Sequence, residues 1–265
     1  MTKAIKKIFS RFRLFWEIDA IRKRIIFYRQ FNQETAKFKN VVFKNDIPYV
    51  IAGPFTGMKY INETVWGPIV PKWLGSYEAE ISTWIMQIID KQPAVIVDIG
   101  AAEGYYAVGL ALKCPEAKVY AFEVDSISRR QLRRLAKLNG VSDHLVLKGW
   151  FNPADSALYS NHRRTVAIVD IEGAEYELLD FERWPTLASW QFIVELHPWA
   201  TSADPEAITR KWSKTHVVEY RTATRRAVHD YRSAIISAVD DGMLSGALGE
   251  YRREDQKWAL LKPKL

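Results

Sequence analysis

One cysteine in 265 residues, Cys114, excludes an internal disulfide and a cysteine-ligated metal cluster. No uninterrupted apolar run approaches the roughly 20 residues that span a bilayer, and the basic start lacks an apolar stretch followed by a small-residue cleavage site. No repeat or low-complexity tract interrupts the chain. These absences lead us to expect an unsecreted protein of a reducing compartment, in the cytoplasm. What is present, 48% hydrophobic and 26% charged residues, suffices for one globular domain with an appendage.

The formal charge of +7 is not spread evenly. Residues 1–40 hold eleven Lys/Arg and three Asp/Glu, a surplus of eight, so residues 41–265 are close to neutral. A nucleic-acid footprint normally extends over the fold, and the neutral body argues against that partner. In the leader, Ile5, Ile8, Phe12 and Phe15 recur at helical spacing among Lys3, Lys6, Lys7, Arg11 and Arg13. Such a basic amphipathic helix suits peripheral contact with an anionic inner-membrane surface, where each Lys or Arg contributes on the order of 1 kcal/mol. Packing on its own domain, or on a second copy in a homodimer, is the alternative. The chain thus divides into a basic helical extension (1–45), a turn-rich segment with a lead-in helix (46–92) and a catalytic domain (93–265).

Residues 41–75, rich in Gly, Pro and aromatics, read as short strands and turns, and 76–90 as a helix. From residue 94 short apolar runs alternate with helical patterns. Strands are expected at 94–99, 118–123, 144–148, 165–171, 191–196, 216–220 and 257–261, and helices at 105–114, 126–139, 174–181 and 204–212. This is an α/β, doubly wound, mostly parallel sheet of about seven strands, with its ligand expected at the carboxyl edge.

The first strand turns through Gly100-Ala101-Ala102-Glu103-Gly104, small residues that let a backbone approach a ligand, while Asp98 can fix the loop or hold a ligand ammonium. A dinucleotide fold would prefer glycine where Ala102 stands, and Glu103 adds negative charge that would repel a diphosphate. A sulfonium ligand escapes that repulsion, and Asp98-x-Gly100-x-x-x-Gly104 resembles the pattern of S-adenosylmethionine enzymes. Glu123, ending the second strand, is the expected ribose ligand. Val124 and Trp150 are the expected covers of the two adenine faces.

Three segments carry a resemblance to the FkbM-type family of S-adenosylmethionine-dependent methyltransferases: Val97-Asp98-Ile99-Gly100-Ala101-Ala102-Glu103-Gly104-Tyr105-Tyr106, Ala121-Phe122-Glu123, and Val169-Asp170-Ile171-Glu172-Gly173-Ala174-Glu175. The resemblance runs through residues 50–265 and leaves the leader outside. It implies a class I methyltransferase fold (Rossmann-like), S-adenosylmethionine as donor and a hydroxyl acceptor, without naming the acceptor.

Loss of a hydroxyl proton calls for a base. Asp170 and Glu172 are expected on one side of the fourth strand's end, and Glu195 and His197 on one side of the fifth. His197 leads as base because imidazole titrates near neutrality, with Asp170 and Glu172 as carboxylate alternatives and Asp170 also beside the donor. Alternatively, Glu172 is a helix-start acid and His197 a strand end bonded to backbone. A divalent ion between Asp170, Glu172 and His197 has no recognised spacing behind it, so no metal is assigned. Tyr77 and Glu78 open the lead-in helix and are candidates for contact with donor or acceptor. The expected activity is O-methylation of a small molecule or glycan. The alternatives are an RNA methyltransferase using the basic arm, a nicotinamide-dependent oxidoreductase, or a scaffold without activity.

Overall fold

A computed structural model describes residues 35–44, 46–161, 164–197, 210–232, 236–237 and 239–264. The stripe at 1–34 and most of the helix expected at 204–212 lie outside these residues. No helix among the described residues is long and apolar enough to cross a membrane.

Seven strands form one sheet: β1 (Val95–Ile99), β2 (Lys118–Phe122), β3 (Leu145–Lys148), β4 (Thr165–Val169), β5 (Gln191–Leu196), β6 (His216–Thr222) and β7 (Lys257–Pro263). Their order is β3-β2-β1-β4-β5-β7-β6. The first five run parallel, and β7 enters antiparallel between β5 and β6. The fold class is the doubly wound one expected.

The strands form because both faces are covered, which favours continuous apolar runs. Successive side chains alternate between two cores. Ile96, Val166, Ile168 and Ile193 join Trp73, Trp84 and Leu110 on one side, while Val97, Ala167, Val169, Phe192 and Val194 join Trp190 and Leu187 on the other. The main crossover helices, α1 (Tyr105–Lys113) and α2 (Ser126–Leu138), follow β1 and β2. Asp125 caps α2, accepting from the Ser128 amide at 2.7 Å.

Three local expectations are corrected. Residues 46–75 contain one isolated bridge, Tyr49 to Lys59, and a wholly buried helix, Ile69–Leu74, rather than several strands. The lead-in helix begins late, as a 3-10 turn at Ala79–Ile81 and an α-helix at Ser82–Lys91, because Glu78 sits in the left-handed region at φ 50°. The helix expected at 174–181 shrinks to Glu175–Leu178. The lead-in segment is nevertheless part of the domain: Phe55 packs on α1 so closely that a Cβ on Gly109 would lie 2.6 Å from its ring. Phe38 and Phe43 are also buried in the core.

The chain builds outward from β1 to β3, then crosses to β4 on the other side of β1. This change of direction leaves a crevice at the carboxyl ends of β1 and β4, the ligand position in open α/β sheets.

Candidate functional site

The turn after β1 is fixed by backbone bonds: the Gly100 and Ala101 amides donate to the Phe122 carbonyl at 2.9 and 3.0 Å. Gly100 has φ 89°, and a Cβ there would lie 1.8 Å from the Asp170 carbonyl oxygen. Its glycine is therefore demanded by close packing of the β1 and β4 ends, not by approach of a ligand. Gly104, at φ 98°, is likewise closed by Leu132, 2.8 Å from where its Cβ would stand. Ala101 is buried beneath the turn, and Ala102 is partly open at φ 47°.

Glu103 corrects the charge argument made from the sequence. Its side chain is wholly buried on the lead-in side, paired with Lys72 and hydrogen-bonded by Tyr60 Oη at 3.1 Å and Thr64 Oγ1 at 3.0 Å. Burial alone would raise its pKa, but the Lys72 ammonium holds it below the usual carboxylate range. A neutralised carboxylate facing away repels no diphosphate, so discrimination against a dinucleotide does not come from Glu103.

Glu123 lies where the β1 and β2 turns meet. One oxygen accepts from the Ala102 amide at 2.8 Å, the other from the Asp125 amide at 2.7 Å. Each oxygen keeps a lone pair for another donor. Burial pushes its pKa up to about 7 against the pull of those amides. Asp98 is 2% exposed, and its Oδ2 has no hydrogen-bond partner. Burial, with Asp170 and Glu123 adding to it, raises this carboxyl to about 8 despite a bond from the Ala107 amide. An unpartnered buried carboxylate oxygen calls for an explanation, and a ligand donor is one. Val124 and Trp150, 54% and 63% exposed, follow the paired strands β2 and β3 and stand at the same edge. Both are large, open apolar side chains suited to a flat ring.

On the other side of the crevice β4 ends at Val169, two residues earlier than expected, so Asp170 and Glu172 are not strand neighbours. A turn with Glu172 at φ 56° and Gly173 at φ 110° brings them together instead. His197 follows β5 and is 4% exposed. Its backbone amide and ring Nδ1 both meet Glu175 Oε1, at 2.8 and 3.1 Å. That leaves Nε2 toward Asp170 Oδ1 at 3.7 Å and Glu172 Oε2 at 3.8 Å. The structure thus gathers the three candidates and reverses their exposure: about two-fifths of each carboxylate side chain is open, while the imidazole stands behind. Burial opposes the charge on His197, but the Glu175 bond and the charges of Asp170, Glu175 and Glu172 outweigh it and raise the pKa. Asp170 rises to about 6, chiefly through burial at the crevice floor, with Glu172 and Glu78 adding and His197 opposing.

Tyr77 and Glu78, expected at the helix start as candidates for contact with donor or acceptor, are held by partners that the sequence did not reveal. Arg252, from the segment before β7, binds Glu78 and Glu195, reaches Tyr77 Oη at 2.9 Å and Glu250 at 3.0 Å, and lies over the Tyr77 and Trp258 rings. Arg226 joins Glu80 at 2.6 Å to Glu250 at 2.7 Å. Burial, with the neighbouring Asp170 carboxylate adding to it, raises the pKa of Glu195 against the pull of Arg252. Ligand atoms of Asp170, Glu195 and His197 lie within 4.8 Å of one another, a grouping able to meet one cation, although Glu195 is already held by Arg252.

No family model matches the chain, and no curated protein matches it. The FkbM resemblance therefore rests on the motif segments alone. Among solved structures, a human methyltransferase 10 domain containing protein aligns at 12% identity with TM-score 0.48, over 88% of this chain and 98% of its own. An rRNA methylase from Streptococcus thermophilus aligns at 11% identity and TM-score 0.46, over 70% and 97%. Cofactor-bound Rv0187 from MTB aligns at 12% and 0.45, over 67% and 76%. At these values the likeness concerns the backbone path alone.

Proposed function

We propose that the protein is an S-adenosylmethionine-dependent methyltransferase of the FkbM type, acting on a hydroxyl of a small molecule or glycan. The observation that supports this best is the pairing of Glu123, which ties the β1 and β2 turns together with lone pairs to spare, with the buried unpartnered oxygen of Asp98. The first suits two ribose hydroxyls and the second an ammonium, while Val124 and Trp150 suit adenine. Asp98, Gly100, Ala101, Ala102, Gly104, Glu123, Val124, Trp150 and Asp170 would surround the donor. When bound, S-adenosylmethionine supplies a methyl carbon made electrophilic by its positive sulfur.

The chain's own contribution is position and a proton acceptor. Rigid turns at β1 and β4 hold the two halves of the crevice in fixed relation, which converts a two-body encounter into a unimolecular one. Asp170, open and with a pKa of about 6, is the group most available for the hydroxyl proton, and His197 Nε2 behind it stabilises or shares that proton. Glu175 fixes the ring through Nδ1. Contact of residues 1–40 with an anionic membrane surface, or with a second copy, belongs to the same proposal as the way the enzyme is held.

The test is incubation of the full chain with methyl-labelled S-adenosylmethionine and separate pools of sugars, glycans and RNA. Label should appear in a sugar or glycan as an alkali-stable ether. Label confined to RNA, with salt-sensitive binding lost on removing residues 1–40, would replace this reading by the RNA one.

A further inference from the structure

The charges of residues 41–265 sum close to neutral, but α2 concentrates one sign. It carries Arg129, Arg130, Arg133, Arg134 and Lys137 and no acid, and it is anchored in the core by Leu132, Leu135 and Ala136. At about 100° per residue, Ser126, Ile127, Arg130, Arg133, Arg134 and Lys137 fall within one arc of about 120°. All six are exposed. Among the described residues, the acid within 4 Å of this face is Glu63, which meets Arg134 at 3.4 Å with both side chains about half open. Arg129 is spent on the Glu123 and Val124 carbonyls, each at 2.7 Å. Asn139 accepts from the Lys59 amide at 2.9 Å and donates to its carbonyl at 2.8 Å, which brings one more exposed cationic residue to the last turn.

Like charges three and four residues apart on a helix repel, and acids at those spacings ordinarily offset them. Arg130 with Arg133 and Arg134, and Lys137 with the same two, stand at those spacings, and nothing within α2 offsets them. A local rule broken without internal compensation points to a partner of the opposite sign. Two observations choose among extended anions. Ile127, 47% exposed, lies in the basic arc, and an apolar side chain among cations is the pattern of a helix at a bilayer interface. The arc is also on the wrong side for a substrate. α2 follows β2, on one side of β1, whereas Asp170 and His197 follow β4 and β5 on the other. An RNA laid along the arc would pass the adenine end of the crevice and not the end where a hydroxyl meets the methyl, a placement that rests on the methyl-transfer reading.

We propose that the outer face of α2 docks the protein on an anionic phospholipid bilayer, with Arg130, Arg133 and Lys137 at the head groups and Ile127 between them. This surface is separate from the leader and is tested with the leader in place.

Full-length protein is sedimented with vesicles of phosphatidylcholine alone and of equal parts phosphatidylcholine and phosphatidylserine. The mixed vesicles should bind at least about tenfold more tightly. Each cation at such a surface strengthens binding about fivefold, so Arg130→Gln, Arg133→Gln and Lys137→Gln together should weaken it roughly 100-fold. Glutamine keeps the helix. Ile127→Ser alone should weaken it severalfold. The same loss of charge elsewhere, Lys91→Gln, Arg225→Gln and Lys257→Gln together, should cost less than about fivefold. The heat of S-adenosylhomocysteine binding should be the same in wild type and both triple variants. No binding to mixed vesicles, equal binding to neutral ones, wild-type binding by the α2 triple variant, or equal losses in the two triple variants overturns the proposal. RNA retained in place of vesicles, and released by the α2 triple variant, overturns it in favour of a nucleic-acid surface. Absence of the S-adenosylhomocysteine heat in wild type overturns the methyl-transfer reading alone, since the vesicle assay needs no donor.

Discussion

Replacing Asp98 by Asn tests whether the floor of the crevice holds a proton that only a ligand displaces. The Asp98 carboxyl stands at about 8 in the fold against 3.8 in an unfolded chain. A raised folded pKa means that the native state binds the extra proton. The stability associated with it is fully present below pH 4 and is lost as pH rises toward 8. Between those limits the slope is about 1.4 kcal/mol per pH unit, amounting to roughly 4 kcal/mol by pH 7 for a fully buried group. Glu123 at about 7 and Asp170 at about 6 add loss of the same sign over narrower windows. Urea denaturation at pH 5, 6, 7 and 8 reads this directly. The unliganded wild type should lose stability steadily across the series, whereas Asp98→Asn should be flatter by close to one proton's slope and more stable than wild type at pH 8. Parallel profiles for the two proteins would show that Asp98 is ionised throughout and would remove the argument for its role.

Arg252→Met should leave Glu78, Glu195 and Glu250 without their shared cation, costing about 3–5 kcal/mol and lowering Tm by roughly 10 °C in a thermal scan. A shift below 2 °C would mean that the carboxylates are neutral without it. Gly100→Ala sets a Cβ against the Asp170 carbonyl, a backbone-to-backbone overlap with no side chain to yield. Its Tm should fall well below wild type and S-adenosylhomocysteine binding should vanish; wild-type values in both assays would contradict the packing described.

The parallel strands were legible in the sequence because each is buried on both faces and reads as an uninterrupted apolar run, and their positions hold to within a residue or two. The turn after β1 and the acid after β2 were legible for a related reason: a left-handed turn and a strand-end carboxylate are local features. The role given to the glycines was not, since the atom that crowds Gly100 belongs to a residue 70 positions away. Glu103 misled because side-chain direction cannot be read from a string. Its partner Lys72 lies in a buried helix that two prolines at 68 and 71 had disguised as a turn. The Arg252 clamp joins residues up to 175 positions apart and has no local signature. Glu175 stood out only as the end of the family-like segment, and only the fold brings it under His197.

Calorimetric titration of the full-length protein with S-adenosylhomocysteine, run beside NADH, reaches the central claim most directly. One ligand should bind per chain, NADH should give no heat, and Glu123→Ala should weaken binding roughly 10- to 100-fold by removing charge-assisted bonds. No heat from S-adenosylhomocysteine at millimolar concentration, or its displacement by NADH, would contradict the account.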